Sequence, residues 1–257
     1  MHYIVLDLEF NQDPESIIDL SLIPGNLIKK NKYPQEIIQI GAVKLDENLN
    51  IIEPFNRLVK PSIYGHISPF ITELTGLTQE TLNAGSHFSQ VYSEFIQFSK
   101  KSESVLCVWG MTDLKELYRN AIYHRLDEKL LPKKYINIQP YTSVYLGQSK
   151  KKLLSLSYCV QALGIEISFP FHDALYDAIY TAELFKKVYN PAILPKRYNP
   201  SLAIKLARPS KKVLDFPLLI SQFEKMFSRE MTEEEKEIIR LAYHMGKTGQ
   251  FLKTDDK

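Results

Sequence analysis

The N-terminal segment Tyr3–Phe10, YIVLDLEF, combines the pattern of a buried strand with two carboxylates. Strand side chains alternate between the two faces of a sheet, so Asp7 and Glu9 lie on the same face with Cα atoms about 7 Å apart. Like charges repel each other, and burying them without partners is costly. The strand is therefore expected to hold a cation between the carboxylates or to end at an open cleft.

Apolar runs downstream of this segment predict an α/β domain. The predicted strands cover residues 3–9, 37–45, 51–59, 104–109 and 135–139. The predicted helices lie near residues 88–96, 114–122, 140–147, 152–163 and 173–189. The second and third strands flank a polar turn that suits a hairpin, whereas the later strands alternate with helices. We therefore predict a mixed five-stranded sheet flanked by helices.

The composition is that of a soluble globular protein, with 44% hydrophobic and 24% charged residues. No apolar run reaches the roughly 18 residues of a membrane span, and the N-terminus lacks a basic region followed by an apolar one. We therefore expect a cytoplasmic protein without membrane contact. Cys107 and Cys159 offer neither a disulfide framework nor metal-ligand spacing. The net charge of +2 does not by itself indicate nucleic-acid binding.

The chain is predicted to consist of a domain at 1–194 and a C-terminal segment at 195–257. The segment begins with a basic stretch that contains no acidic residue and carries Lys196, Arg197, Lys205, Arg208, Lys211 and Lys212. This stretch is either a solvated linker or a track for the phosphates of a substrate strand. Two helical patterns follow and predict a small helical appendage, whose apolar stripe includes Leu219, Phe223 and Phe227. The appendage would dock on the domain or on a partner protein.

Three further side chains are candidates for the site that begins at Asp7 and Glu9. Asp113 follows a strand at the first turn of a helix, where an acid is also common because of the helix dipole. His172 and Asp177 would lie on different faces of a single helix, but they reach one cleft if His172 is in the loop that enters the helix. Asp173 would then cap that helix.

These carboxylates suit a particular kind of metal centre. In an open α/β sheet, strand ends and neighbouring helix starts converge on one cleft. Four carboxylates without cysteine favour Mg²⁺ or Mn²⁺ over zinc. Two such ions about 4 Å apart support in-line attack on a phosphodiester. The cation expected between Asp7 and Glu9 is therefore a divalent metal.

The same residues resemble the motifs of the DEDDh (DnaQ-like) 3′–5′ exonucleases, which have a ribonuclease-H-like fold. The flanking segments PQEIIQIGAV at 34–43, LTGLT at 74–78 and Trp109-Gly110-x-x-Asp113 resemble the branch that trims histone-mRNA ends and small RNAs. Bacterial relatives in that branch include inhibitors of a sporulation-kinase pathway. The resemblance covers about residues 2–190, so neither the C-terminal segment nor the long 11–33 insertion gains a role from it.

The resemblance implies a metal-dependent enzyme that hydrolyses single-stranded nucleic acid or short 3′ overhangs to nucleoside 5′-monophosphates, with RNA favoured. It implies that Asp7 bridges two ions, that Glu9 and Asp177 hold the ion carrying the attacking water, and that Asp113 supports the other ion. His172 would deprotonate this water, since histidine accepts protons near neutral pH.

The resemblance also implies a surface for the 3′-terminal nucleotide, bordered by Leu8, Phe10, Leu74, Thr75, Gly76 and Leu77. Trp109 either stacks on a base or packs at the end of its strand. Two other functions stay open. The chain could be a DNA-directed proofreading or repair exonuclease, or a regulatory protein that binds partners through the same fold.

Overall fold

The structure is a computed structural model that describes residues 2–12, 34–99, 104–200 and 216–247. The chain divides into two compact units. The first unit comprises residues 1–18 and 31–207, and the second comprises residues 19–30 and 208–257. Most of the predicted insertion after β1 and the cations of the basic stretch from Lys205 onward lie outside the described residues.

Within the described residues, a six-stranded mixed sheet forms the centre of the first unit. Its strands are β1 Tyr3–Asn11, β2 Glu36–Leu45, β3 Ile51–Leu58, β4 Val105–Val108, β5 Lys134–Asn137 and β6 Lys196–Arg197. Their spatial order is β3-β2-β1-β4-β5-β6. Strand β1 pairs antiparallel with β2 and parallel with β4. The predicted mixed sheet is confirmed, with one strand more than expected, because a two-residue strand is too short to show a hydrophobic period.

Helices flank this sheet, as the sequence predicts. In the described part of the first unit they are α1 Pro69–Thr75, α2 Gln79–Asn83, α3 Phe88–Ser99, α4 Thr112–Tyr123, α5 Gln139–Tyr145, α6 Leu156–Ala162 and α7 Ala174–Val188. Helix α6 begins later than its predicted start at residue 152. It starts where the side chain of Ser155 caps it by accepting a hydrogen bond from the Tyr158 N–H.

Strand β1 separates two halves of the core because its side chains alternate. Even-numbered residues such as Leu6 pack with α3 and α4, and the odd-numbered Tyr3 and Val5 pack with α7 on the opposite face. Asp7 and Glu9 continue the odd-numbered set at the end of the strand. The strand thus changes from apolar to acidic along one face, toward the helix that carries Asp177.

The second unit contains two described helices, α8 Phe216–Phe227 and α9 Glu233–Lys247. A capping box begins α9: Thr232 Oγ1 accepts a hydrogen bond from the Glu235 N–H, and the Thr232 N–H donates to the Glu235 carboxylate. Two rings of the predicted apolar stripe, those of Phe223 and Phe227, are stacked with centroids 6.5 Å apart. None of the described helices is both long and apolar enough to cross a membrane.

A buried asparagine fixes α4, which carries Asp113, to the start of β2. Asn120 Oδ1 accepts a hydrogen bond from the Ile37 N–H at 3.3 Å, and its Nδ2 donates to the Gln35 carbonyl at 2.8 Å. The Gln35 N–H in turn donates to Glu116 Oε2 at 3.1 Å. Buried backbone groups at the entry of a strand need such partners, so this network helps to hold α4 against the sheet.

We expect Asn120→Ala to destabilise the fold. The change leaves the Ile37 N–H and the Gln35 carbonyl without their side-chain partner, and a buried unpaired group costs roughly 1–3 kcal/mol. The free energy of unfolding in urea should fall by about 2–3 kcal/mol. Lys115→Ala, at an exposed position of the same helix, is the matched control and should change it by less than about 0.5 kcal/mol. Equal effects of the two changes would show that the network is dispensable.

Candidate active site

Four carboxylates from three elements lie at the carboxyl end of β1. Asp7 and Glu9 belong to β1, Asp113 is the second residue of α4, and Asp177 is in the first turn of α7. Because β4 runs parallel to β1, the helix that follows β4 begins at the same edge of the sheet. Glu9, Asp177 and His172 each offer one ligand atom, and these atoms lie within 4.8 Å of one another.

Burial and mutual repulsion raise the pKa of every carboxyl group in this cluster. The pKa of Glu9 is about 8, chiefly because of burial and then because of Asp177 and Asp113. Burial also raises the pKa of Asp113 to about 7 and that of Asp177 to about 6. The pKa of Asp7 lies well above its usual range, with burial as the largest cause and Asp113 as the strongest acidic neighbour. The metal-free cluster therefore resists full ionisation at neutral pH.

The charges that raise these pKa values come from acids. Among the described residues, no lysine or arginine contributes to the pKa shift of Asp7 or Glu9, and Asp173 adds a further negative charge. Asp177 Oδ1 is buried and has no hydrogen-bond donor within the described part of the chain. A bound cation would complete such an arrangement, and carboxylate oxygens without cysteine fit a hard divalent ion.

His172 lies in the loop that enters α7, as the sequence predicts, and its side chain is exposed. Its backbone has a left-handed φ of 68°, which is uncommon for a residue other than glycine. In this conformation the His172 N–H donates a hydrogen bond to Asp177 Oδ2 at 3.1 Å. Asp173 caps the helix by accepting from the backbone N–H groups of Leu175 and Tyr176, which confirms its predicted role.

A tyrosine on α7 holds the loop that precedes His172. The Tyr180 hydroxyl accepts a hydrogen bond from the Phe169 N–H at 2.8 Å and donates to the Phe169 carbonyl at 2.7 Å. The Phe169 ring stacks on Tyr176 with centroids 4.2 Å apart. The loop is therefore held to α7 by two backbone hydrogen bonds and by one ring contact.

Residues 4–185 match the sequence profile of the exonuclease family RNase_T. The chain belongs to this exonuclease family. The family predicted from the sequence motifs, that of the DEDDh-type 3′–5′ exonucleases, is therefore confirmed.

Two curated relatives show how the exonuclease compares with longer proteins. It is 33% identical over 156 residues to the PolC-type DNA polymerase III of Thermotoga petrophila, a match that covers 58% of this chain and 10% of the polymerase. It is 28% identical over 159 residues to 3′-5′ exoribonuclease 1 of Mus musculus, covering 57% of this chain and 45% of the mouse protein. The matched region thus spans less than half of either relative.

Two solved structures share the fold. The nuclease domain of 3′hExo, a DEDDh family member bound to rAMP, superposes with a TM-score of 0.62 at 23% identity, covering 77% of this chain and 96% of that domain. E. coli Exonuclease I in complex with an oligonucleotide superposes with a TM-score of 0.56 at 16% identity, covering 75% of this chain and 42% of that one.

The residues predicted to border the substrate occupy different environments. The Leu8 side chain is buried in the core on the face opposite Asp7, so only its backbone is available to the cleft side, and Phe10 packs partly against the same core. Leu74 is exposed at the end of α1. Gly76 ends this helix with a left-handed φ of 71°, which glycine adopts without strain.

The remaining members of this set are held by local contacts. Thr75 Oγ1 donates to the Ile71 carbonyl at 2.8 Å and accepts from the Leu77 N–H at 3.1 Å, and Leu77 packs on a small core cluster. Trp109 packs against two core clusters, and its indole N–H is buried without a partner among the described residues. Of the two predicted roles of Trp109, the structure shows packing at the end of its strand. The stacking of Trp109 on a base stays a prediction.

The sequence did not reveal how the segment before α1 is fixed beside the cleft. Asn11, at the end of β1, donates from Nδ2 to the His66 carbonyl and accepts from the Ser68 N–H through Oδ1. The buried Glu36 carboxylate accepts backbone hydrogen bonds from residues 62–64. Both residues are polar and lie at the ends of apolar strands. A polar residue at the end of an apolar strand predicts some hydrogen bond, but it does not identify the partner.

The stability of the metal-free exonuclease should fall as the pH rises from about 5 to about 8.5. The pKa values of Glu9, Asp113 and Asp177 in the folded state exceed the value of about 4 in an unfolded chain, so the folded state binds more protons across this window. Their stabilising contribution is complete below about pH 4 and is lost as the pH rises through about 6 to 8. Thermal melts in a chelator measure this dependence.

One substitution connects this dependence to the carboxylate cluster. Asp7→Asn removes one charge at nearly constant volume and should raise the melting temperature of the metal-free protein at about pH 8, because repulsion is relieved. Glu47→Gln, which neutralises an exposed acid in the β2–β3 turn, is the matched control. A melting temperature that rises with pH in the chelator, or equal effects of the two changes, would contradict this account.

Proposed function

We propose that this exonuclease hydrolyses single-stranded nucleic acid, or a short 3′ overhang, from the 3′ end and that it prefers RNA. The observation that supports the proposal most directly is that four carboxylates meet an exposed histidine. One carboxylate oxygen each of Glu9 and Asp177 and one ring nitrogen of His172 lie within 4.8 Å of one another. A phosphodiester carries negative charge, so it would enter an acidic site only with cations that neutralise the carboxylates.

The proposed metal ligands are Asp7, Glu9, Asp113 and Asp177, and the proposed metals are two Mg²⁺ or Mn²⁺ ions. When bound, such ions neutralise the phosphate and lower the pKa of water. The raised pKa values of the four acids mean that metal binding and proton release are linked, because a ligand must be ionised.

His172 is proposed as the general base. Its ring is exposed beside Glu9 and Asp177, and the hydrogen bond from its backbone to Asp177 fixes where the residue enters the site. His172 would take a proton from the attacking water as the oxygen bonds to phosphorus. The bond from phosphorus to the 3′ oxygen of the preceding nucleotide breaks, and this oxygen takes up a proton from water to become the new 3′ hydroxyl of the shortened strand. The released nucleotide keeps its 5′ phosphate.

The substrate class distinguishes two candidate activities. RNA is favoured by the flanking motifs and by the match to the mouse exoribonuclease, and the superposition covers 96% of the 3′hExo nuclease domain. DNA is the second candidate because the PolC-type polymerase is the more identical relative, at 33%. Both substrates therefore belong in one experiment.

End-labelled single-stranded RNA and DNA of the same sequence should be shortened stepwise from the 3′ end in Mn²⁺ or Mg²⁺, with RNA consumed faster. Nucleoside 5′-monophosphates should be the products, and a chelator should abolish the reaction. A 3′-phosphorylated copy of each strand is the control for a free 3′ hydroxyl. Cleavage of circular strands, or full activity in the chelator, would exclude the proposed activity, and faster consumption of DNA would exclude the RNA preference.

His172→Asn should lower kcat by about 10²–10⁴-fold, the usual contribution of a general base. Asparagine tolerates the left-handed backbone of this position, so the loop should keep its conformation. The rise in melting temperature caused by Mn²⁺ should be unchanged, since His172 is proposed as a base and not as a ligand. His87→Ala, at an exposed histidine ahead of α3, is the control. A smaller Mn²⁺ effect in His172→Asn would make His172 a ligand instead.

The structure describes the first two cations of the C-terminal basic stretch. Lys196 and Arg197 lie exposed in β6, where they pair with Tyr135 and Lys134 of β5. Two alternatives predicted from the sequence concern the remainder. The basic stretch is either a solvated linker or a track for the phosphates of a bound strand, and the helical appendage docks either on the domain or on a partner protein.

A further inference from the structure

The buried side chain of Gln39 connects the middle of β2 to the N-terminus of α7. Gln39 pairs with Glu9 across the β1–β2 ladder, so it lies beside the carboxylate cluster. Its Oε1 accepts a hydrogen bond from the Ala174 N–H at 3.2 Å, and its Nε2 donates to Asp173 Oδ2 at 3.0 Å. The second Nε2 hydrogen goes to Asn56 Oδ1, also at 3.0 Å. Every hydrogen of this amide group is therefore used.

Gln39 completes the hydrogen bonding of the first turn of α7. Asp173 Oδ1 accepts from the second and third N–H groups of the helix, and the Asp173 carbonyl accepts from the Asp177 N–H at 2.9 Å. The first N–H, that of Ala174, is bonded by Gln39 from the neighbouring strand. The first N–H groups of a helix have no partner within the helix, so Gln39 supplies an acceptor that the cap does not.

A glycine on the same strand brings the two backbones into contact. Gly41 lies two residues beyond Gln39, on the same face of β2 and opposite Asp7. A Cβ atom on Gly41 would be 2.0 Å from the backbone carbonyl carbon of Ala174. This contact sets the distance between strand and helix, whereas the hydrogen bonds of Gln39 set the position of the helix along the strand.

We propose that Gln39 is a positioning residue, which holds the first turn of α7 so that His172 and Asp177 stay in register with Asp7 and Glu9. The inference rests on the proposed function. His172 directly precedes the cap and Asp177 lies in the first turn, so a shift of the helix start displaces both from the carboxylates of β1. A misplacement of about 1 Å costs as much as about 10²-fold in rate.

An exchange of partners tests the proposal. Gln39→Glu places a carboxylate opposite the Asp173 carboxylate, so the donor is lost. Asp173→Asn keeps an oxygen that caps the helix, but the new amide N–H group at position 173 faces the Gln39 N–H group, so two donors meet. If the Gln39 amide turns over, its N–H group faces the Ala174 N–H, and two donors meet there instead. The double variant restores the pair with its direction reversed: the amide introduced at position 173 donates to the carboxylate introduced at position 39, which still accepts from the Ala174 N–H. The number of acidic groups also returns to that of the wild type.

Each single variant should lower kcat on a short RNA about tenfold to a hundredfold with KM within about twofold, and the double variant should recover to within about threefold of the wild type. The Mn²⁺-induced rise in melting temperature should shrink in the single variants and return in the double variant. A purely structural role would lower the melting temperature in chelator and leave kcat and the Mn²⁺ effect unchanged. Asn56→Ala is the control and should leave kcat and the Mn²⁺ effect unchanged. Asn56 is exposed, so water replaces the hydrogen bond that it accepts from Gln39.

Two outcomes would overturn the proposal: single variants that fold and keep wild-type kcat and Mn²⁺ response, or a double variant that is unfolded or no better than the weaker single variant. If a single variant fails to fold, the activity of the double variant decides. If the wild type shows no nuclease activity, the proposed function fails, whereas the Mn²⁺ response of the four proteins still tests the position of Asp177 and therefore the role of Gln39.

Discussion

The repulsion among carboxylates at the end of β1 is the constraint on which the rest of the structure depends. Burial and neighbouring acids raise the pKa of Asp7, Glu9, Asp113 and Asp177, so the metal-free fold carries an unfavourable interaction at its centre. A fold tolerates such a site when the surrounding packing is strong. Here β1 lies inside the sheet between β2 and β4, and the apolar residues that precede its acids form part of the core on both faces.

Buried polar side chains around the site hold the helices of the site in position against the sheet. Asn120 holds the helix that carries Asp113 to the start of β2, and Gln39 holds the helix that carries Asp177 to the middle of β2. Strand β2 contributes no proposed ligand, but it is the reference against which both helices are set. Tyr180 extends the same arrangement to the loop of His172.

The sequence predicts the parts of this site that depend on local periodicity. The alternation in β1 and the helix starts before Asp113 and Asp177 are visible in the residue pattern, and so is the capping role of Asp173. The contacts of Gln39 reach residues 134 and 135 positions away, so no local pattern indicates them. The burial of Leu8 follows from the same alternation, since it faces away from both acids. Strand β6 is formed by pairing with β5 and has no period of its own.

The alternation of side chains in β1 also determines which mutations this strand tolerates. Any apolar residue of suitable size can replace Val5 or Leu6, because the core requires volume and not identity. Insertion or deletion of one codon between Tyr3 and Asp7 would instead turn both acids toward α3 and α4 and bring Leu8 to the cleft, since a shift by one residue exchanges the two faces. In this strand, the site therefore depends more strictly on the number of residues than on most of their side chains.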